Sequence, residues 1–401
     1  MSRECFVILI FEMTWRARAH VPGNAATIDT IARAFPEQEI RVFAEAEHLS
    51  GLRALLGGDA KKIAFFPAAD PAYLQGKTHI VSARRFAREF ATLRQALAGA
   101  PAGENLFLFL LSATSTAIFA VALLARRARR IKGVHIGLHG NLNEITGWRS
   151  RNPLVRAFDL RAALAAPLGK KLRFLVLEEA IRRELARILP RAGARADVLS
   201  LPVNLGEVAS APPPFAPPWR FGLIGQATRD KGIEVFLEIA RRMKARFGER
   251  VEFYVIGMIR HDADQAPFAV LAHPPDHGGL SRADFTARLA AMHYILMPLA
   301  PSYYALSASG AVIDAVTWRK PMIGFRLPIL ADLFARFGDL GRLVDSTDAM
   351  ADAVADLVET PDQAGYAAWQ AALSEARASR DPAALAAGYA ALVAEKFPDF
   401  G

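Results

Sequence analysis

Strand-length apolar runs alternate with helix-length segments along nearly the whole chain, and the alternation breaks once. In the first part, strands are predicted at residues 6–11, 40–44, 62–66, 106–111, 133–138, 173–177 and 196–201, with amphipathic or apolar helices between several of them, as at 25–35 and 84–97. Alternation of this kind implies a parallel sheet covered by helices on both faces. The break is SAPPPFAPPWR, residues 210–220, whose prolines make it stiff and extended and unable to continue a helix or a central strand. A second series follows, with a strand at 220–224, a loop at 225–230 and a helix at 232–247. That helix carries Ile233, Phe236, Leu237, Ala240 and Met243 on one stripe and has Gly248 as its stop; the next strand, 251–256, ends at Gly257. A length of 401 residues also exceeds what one core usually organises. The expectation is an α/β protein with two Rossmann-like, doubly wound domains, residues 1–209 and 210–380, and a terminal segment 381–401. Two such domains in tandem face across a cleft at the carboxyl ends of their strands, where ligands bind in this architecture.

A single cysteine, Cys5, cannot form an internal disulfide, which fits a reducing compartment. Its place at the start of the apolar run that leads into the first predicted strand argues against nucleophilic chemistry. The start MSRECFVILIFEMTWR pairs an acidic with a basic residue and has no small-residue cleavage site, a poor signal peptide. The uncharged run LFLFLLSATSTAIFAVALL, residues 106–124, is long enough to span a bilayer. Its central hydroxyls, Ser112, Thr114, Ser115 and Thr116, suit a helix cap, so a buried strand and then a helix over 116–130 are expected instead. The net charge of +9 is uneven: residues 1–200 hold 30 Lys and Arg against 17 Asp and Glu, the remainder 19 against 23. Arg126, Arg127, Arg129, Arg130 and Lys132 form one tract, a face that attracts phosphates. No aromatic residue interleaves it, which argues against nucleic acid as a partner and leaves an anionic membrane surface or a solvated arginine-rich helix.

The stretch SASGAVIDAVTWRKPMIGF, residues 307–325, carries the most chemistry. If Ser307 or Ser309 caps a helix starting at Gly310, the free N–H groups and positive dipole end there can hold a phosphate, and the glycine lets it approach the backbone. Asp314 lies on the same face one turn deeper, where a carboxylate can accept hydrogen bonds from ribose hydroxyls. The alternative is an ordinary strand-loop-helix unit with a solvent-facing Asp. Lys320 and Pro321 end the helix and launch the next strand.

Taken in order, GQATRDKGIEVFLEIA, VEFYVIG, LSRADFTARLAAMHYILMPL and SASGAVIDAVTWRKPMIGF resemble the carboxyl-terminal domain of GT-B glycosyltransferases of family four. The resemblance covers about residues 220–344; the first half matches only in its strand and helix rhythm and one histidine. It implies a nucleotide-diphosphate sugar donor held by Gly225, Gln226, Arg229, Lys231, Gly257, Ser307, Ser309, Gly310 and Asp314, with the last in place of the family's ribose-binding glutamate. Two positions depart from the pattern. The glutamate that contacts the transferred sugar in the family falls at Leu306. The arginine expected directly after the loop glycine is Gln226, while the lysine five residues on is retained as Lys231 and Arg229 lies in the same loop. Losing one cation from a diphosphate clamp weakens stabilisation of the leaving group.

His139, at the end of the strand in VHIGLHGNLNEI, matches a histidine that lies against the donor sugar in similar proteins, and is with Lys231 the expected catalytic residue. His20, Gly23 and Asn24, in the loop after the first strand, face the acceptor on the same resemblance. An Asp-x-Asp triplet in HDAD, residues 261–264, with His273, Asp276 and His277 nearby, fits no standard ligand set. No metal and no cofactor beyond the nucleotide-sugar co-substrate is expected. The resemblance thus implies a cytoplasmic, retaining hexosyltransferase, peripheral at the inner face of the plasma membrane, that acts on a glycan or lipid-linked acceptor in surface polysaccharide or glycolipid synthesis. Its terminal helix would cross back to the first domain. The competing expectation is a catalytically weakened GT-B protein that binds a nucleotide sugar or a partner enzyme without transfer.

Overall fold

The computed structural model describes residues 6–58, 63–68, 81–147, 149–206, 212–259, 266–273, 275 and 277–400. The chain divides into two units, Met1–Leu205 with Leu306–Ala308 and Arg380–Gly401, and Gly206–Ala305 with Ser309–Ser379.

The first unit is built on seven strands: β1 (Phe6–Glu12), β2 (Glu39–Ala44), β3 (Ile63–Pro67), β4 (Asn105–Ser112), β5 (Ile131–Gly137), β6 (Leu172–Val176) and β7 (Ala196–Val198). They lie in the order β3-β2-β1-β4-β5-β6-β7, each parallel to its neighbours. The uncharged run resolves as β4 followed by the helix Ser115–Arg127, started by Thr114, whose side chain accepts from the Ala117 amide. Among the described residues no helix is long and apolar enough to cross a membrane. Between Asn105 and Ser112 β4 is apolar throughout because it is central and covered on both faces, by one cluster around Leu108 and Leu110 and another around Phe107 and Phe109.

Three boundaries differ from the expectation by three residues or more. The helix expected at 25–35 is Val21–Ala34, with Pro22 in its first turn and His20 in the left-handed region before it at φ 61°. The helix over 116–130 stops at Arg127, and Arg130 beyond it donates to the carbonyls of Leu97 and Pro101. The strand at 196–201 ends at Val198. The helix Pro382–Lys396 packs in this unit, where the Tyr389 hydroxyl is 3.0 Å from His135 Nδ1. His135 Nε2 lies 3.1 Å from Asp197 Oδ2, and Arg173 clasps both oxygens of that carboxylate. A carboxylate only accepts, so the imidazole donates through Nε2 and Nδ1 accepts from the phenol.

The second unit has five parallel strands, β8 (Trp219–Ile224), β9 (Val251–Ile256), β10 (Tyr294–Met297), β11 (Met322–Phe325) and β12 (Gly341–Val344), in the order β12-β11-β10-β8-β9. Phe221 of β8 stacks on Phe253 of β9 at 5.2 Å and Tyr294 of β10 at 5.4 Å, registering three strands through one aromatic row. The chain steps from β8 to β9 on one side and returns past it to β10, so the strand order reverses between β8 and β10. Right-handed crossovers then put the helices Arg282–Ala291 and Gly310–Thr317 on one face and Ile233–Phe247 on the other. Lys320 binds the first pair together: its ammonium donates to Ala290 O at 2.7 Å and Met292 O at 2.8 Å, at the carboxyl end of the Arg282 helix.

Candidate functional site

The reversal between β8 and β10 opens the place where this architecture binds ligands, between the loops that leave those two strands. Glycines set the loop after β8. Gly225 has φ 95°, and its amide donates to Ile256 O at 2.8 Å. A side chain on Gly257 would stand 2.0 Å from the Gly225 carbonyl, so both positions need glycine for the ends of β8 and β9 to meet. At Gly232, φ is 77° and a Cβ would meet Pro298 O at 2.0 Å, which seats this loop on the chain leaving β10. Within the loop, Lys231 and Ile233 donate their amides to Thr228 O, and Ala300 donates to Asp230 O.

Lys231 folds back over Gly225, its Nζ 3.3 Å from where a Cβ would sit. Burial pulls this ammonium below the usual lysine value, and the Asp314 carboxylate opposes that. Asp314 is largely covered, with 15% of its side chain exposed, and Arg282 Nη2 stands 3.9 Å from its Oδ1. Burial also lowers Arg282, again against Asp314. The helix Gly310–Thr317 is capped by buried Ser309, whose Oγ accepts from the Val312 amide at 3.4 Å. Gly310 is exposed at the helix start, where the leading amides of a helix lack an intrahelical acceptor, while Val312 and Ile313 donate to Ser309 O. One place therefore joins a desolvated ammonium, a carboxylate, an arginine and a helix amino end, a combination suited to an anion that also carries hydroxyls.

Of the residues expected to hold a donor, Gly225, Lys231, Ser309, Gly310 and Asp314 lie at this place, and Gly257 supports it. Gln226 and Arg229 point to solvent; Arg229 is 84% exposed and pairs with Glu234 at 3.1 Å. Ser307 belongs with the first unit, and its Oγ makes a long contact of 3.5 Å to Ala308 O. Leu306 is buried in the first unit's larger apolar cluster, which gives a reason for leucine there: a carboxylate would have to be buried with it. Arg282 was not among the expected residues. In LSRADF it reads as a charge in the first turn of a helix, and nothing in its spacing announces Asp314.

In the first unit, Glu12 ends β1 as a buried carboxylate. It accepts from the amides of Thr14 and Trp15, from Ser112 Oγ at 2.7 Å and from Asn24 Nδ2 at 3.0 Å. Burial pushes its carboxyl up, and those four donors work against the shift. Asn24 also meets His48 Nε2 at 3.1 Å, so this buried amide braces the loop. The loop carries His20, whose ring lies 4.2 Å from Trp15 and 4.6 Å, edge to face, from His139. Burial draws His139 down to about 4 and His20 well below the ordinary histidine value, with His139 and His48 adding to the latter. Both rings are neutral near pH 7, each with one donor and one acceptor nitrogen. Gly23 is half-buried beside them and has room for a side chain. Cys5, the 261–264 triplet and Asp276 lie outside the described residues. Among the described residues no cluster of three His, Cys, Asp or Glu could hold a metal ion.

No family model and no curated protein matches the sequence. Solved structures do match the fold. HepE of Anabaena, in complex with UDP and glucose, aligns at 15% identity over 97% of this chain and 100% of its own, with a TM-score of 0.63. A UDP-forming α,α-trehalose-phosphate synthase from Burkholderia vietnamiensis aligns at 11% identity over 99% of this chain and 98% of its own, with a TM-score of 0.61. WaaG, a glycosyltransferase involved in lipopolysaccharide biosynthesis, aligns at 13% identity over 97% and 99%, with a TM-score of 0.58. The fold is GT-B. At such identities the likeness carries the architecture of a GT-B protein and leaves the chemistry to the residues of this chain.

Proposed function

We propose that this GT-B chain is a retaining hexosyltransferase that moves a sugar from a nucleotide-diphosphate donor to a glycan or lipid-linked acceptor, in surface polysaccharide or glycolipid synthesis. The observation that carries the reading is the meeting of Lys231, Asp314 and the Gly310 helix start beside the reversal of the second sheet. The diphosphate lies on the leading amides of the Gly310 helix with Lys231 Nζ against it, and Asp314 accepts from the ribose hydroxyls. When the glycosidic bond to the diphosphate breaks, negative charge grows on the leaving oxygen. A desolvated ammonium already in position stabilises that charge more than one exposed to water would. Neutral His139 donates to a sugar hydroxyl, and His20 and Gly23 are assigned to the acceptor. The complexes of HepE with UDP and with UDP-glucose support a nucleotide-sugar donor, and retention follows the family resemblance.

Exposed Leu154 and Phe158, at 73% and 50%, support a peripheral place at the anionic inner face of the plasma membrane. They lie close in sequence to exposed Arg151 and Arg156, while Arg149 pairs with Asp159 at 3.0 Å. A second reading, a nucleotide-sugar-binding protein without transfer, is favoured by Gln226 in the phosphate loop and by the burial of Leu306. The two separate by experiment: nucleotide sugars are screened by thermal shift, and those that bind are assayed for transfer to a membrane extract. Transfer supports the first reading, binding without turnover the second, and absence of any nucleotide-dependent shift removes both.

A further inference from the structure

The helix Ser115–Arg127 carries no charge before Arg126, and two opposite faces of it are apolar. One, with Ala117, Val121 and Leu124, packs in the first unit's larger cluster. The other runs at helical spacing through Thr116, Phe119 and Leu123 to Arg126, and its Phe119 and Leu123 are half-buried. This second face lines a cavity of about 620 Å³ within the first unit. Phe86 of the helix Ala83–Ala98 and Leu168 supply further walls, and Phe158 lines it edge to face with Phe119, 5.5 Å between ring centres.

The volume is that of a small-molecule site, but the lining does not suit a sugar or a nucleotide, which need several fixed polar partners. Its two side-chain hydroxyls are engaged: Ser82 Oγ accepts from the Arg85 amide at 3.2 Å, and Thr116 Oγ1 lies 3.2 Å from Thr114 Oγ1. The charge is at one end. Arg126 donates through Nη2 to Pro167 O, is exposed, and has the further N–H donors of a guanidinium. Exposed Arg127 and Arg129 follow it in the chain.

We propose that this cavity takes one hydrocarbon chain of an anionic lipid, with the head group on Arg126. The inference builds on the membrane reading given above and turns a surface into a site of defined stoichiometry. Phe158 belongs both to the exposed pair with Leu154 and to the cavity wall, so a chain drawn from a bilayer at that pair enters past it. For a monomeric lipid, each methylene taken from water tightens binding about fourfold. The arginine end then selects the sign of the head group.

The test is calorimetric titration of the full-length protein below the micelle concentration. The probes are myristoyl lysophosphatidylglycerol, its zwitterionic counterpart myristoyl lysophosphatidylcholine, and glycerophosphoglycerol, which has the head group without the chain. The wild type is expected to bind one lysophosphatidylglycerol, about fivefold more tightly than lysophosphatidylcholine and at least about a hundredfold more tightly than glycerophosphoglycerol. Ala83 is an exposed lining residue in the first turn of its helix, so Ala83→Trp fills the cavity from its open edge and should weaken both lysolipids at least about tenfold. Arg126→Gln should bring the two lysolipids to within about twofold of each other. Thermal melts check that both variants keep the fold. A wild type that binds no lysolipid overturns the inference, as does an affinity unchanged in Ala83→Trp or a head-group preference that survives in Arg126→Gln. Glycerophosphoglycerol bound as tightly as the lysolipid also overturns it, because the site would then be a surface phosphate site. Flotation with anionic vesicles separates the two readings. A protein that floats and binds no lysolipid keeps the surface reading and loses the cavity; one that binds lysolipid without floating keeps the cavity and loses the surface.

Discussion

At the residue scale, Lys320 shows how a buried amine can serve structure near the candidate site without belonging to it. It is 2% exposed, holds the carboxyl end of the Arg282 helix through two carbonyls, and is drawn down to about 7 by burial, with Arg319 adding to the shift. A neutral amine keeps two N–H donors, enough for both carbonyls. Between about pH 7 and the unfolded value near 10.4, the unfolded chain holds a proton here that the folded chain does not. Stability from this group therefore rises with pH across that window, by up to about 1.4 kcal/mol per pH unit. Urea unfolding at either end of the window should show that rise in the wild type and its loss in Lys320→Met. Above about pH 10, where the amine is neutral in the unfolded chain as well, the variant should be less stable by about 1–3 kcal/mol, because it leaves two buried carbonyls without a donor. Equal pH dependence in both proteins would refute the assignment. In the sequence Lys320 appears only as half of a Lys-Pro corner, since its two acceptors are 28 and 30 residues away.

At the scale of elements, Glu12 anchors the end of β1 to the end of β4 through Ser112 and to the following helix through Asn24. Every partner is a donor, so Glu12→Gln, which turns an N–H toward a donor, should cost about 1–3 kcal/mol. Loosening the His20 loop should accompany that loss, seen as faster hydrogen exchange at Thr14 and Trp15; unchanged exchange would show that the anchor is dispensable. What the sequence made legible follows from the same physics. β4 and its helix could be told from a membrane span because Ser112 and Thr114 sit where a cap is needed. Gly225, Gly310 and Asp314 stand out in the sequence because a phosphate and ribose site of the kind proposed constrains both residue type and spacing, and the fold brings them to the reversal of the second sheet. Glu12 and Arg282 were not legible: one looks like the polar end of an apolar strand, the other like a solvated helix charge, and each acquires its meaning from partners distant in the chain. Leu306, at the position of the family's sugar contact, is buried in an apolar cluster, a setting its neighbours in the sequence do not announce.

At the scale of the whole molecule, the basic excess of residues 1–200 is partly structural. Arg126 and Arg130 donate to the carbonyls of Pro167, Leu97 and Pro101, which ties two of the five guanidinium and ammonium groups of the tract to the fold while leaving their charge in place. The exposed pair Leu154 and Phe158, close in sequence to exposed Arg151 and Arg156, is the better membrane candidate. The protein should float with anionic vesicles at low ionic strength and be released near 0.5 M salt, where the Debye length is about 4 Å. Leu154→Asp with Phe158→Asp should weaken that association about tenfold. Equal flotation with neutral vesicles, or none with anionic ones, would leave these residues as ordinary surface.

The central claim is that the second unit binds a nucleoside diphosphate through Lys231 and Asp314. Calorimetric titration of UDP and GDP into the wild type, Lys231→Ala and Asp314→Ala tests it most directly. Binding by the wild type that weakens about tenfold or more in each variant, with thermal melts preserved, is the predicted result; affinity unchanged in both variants would contradict it.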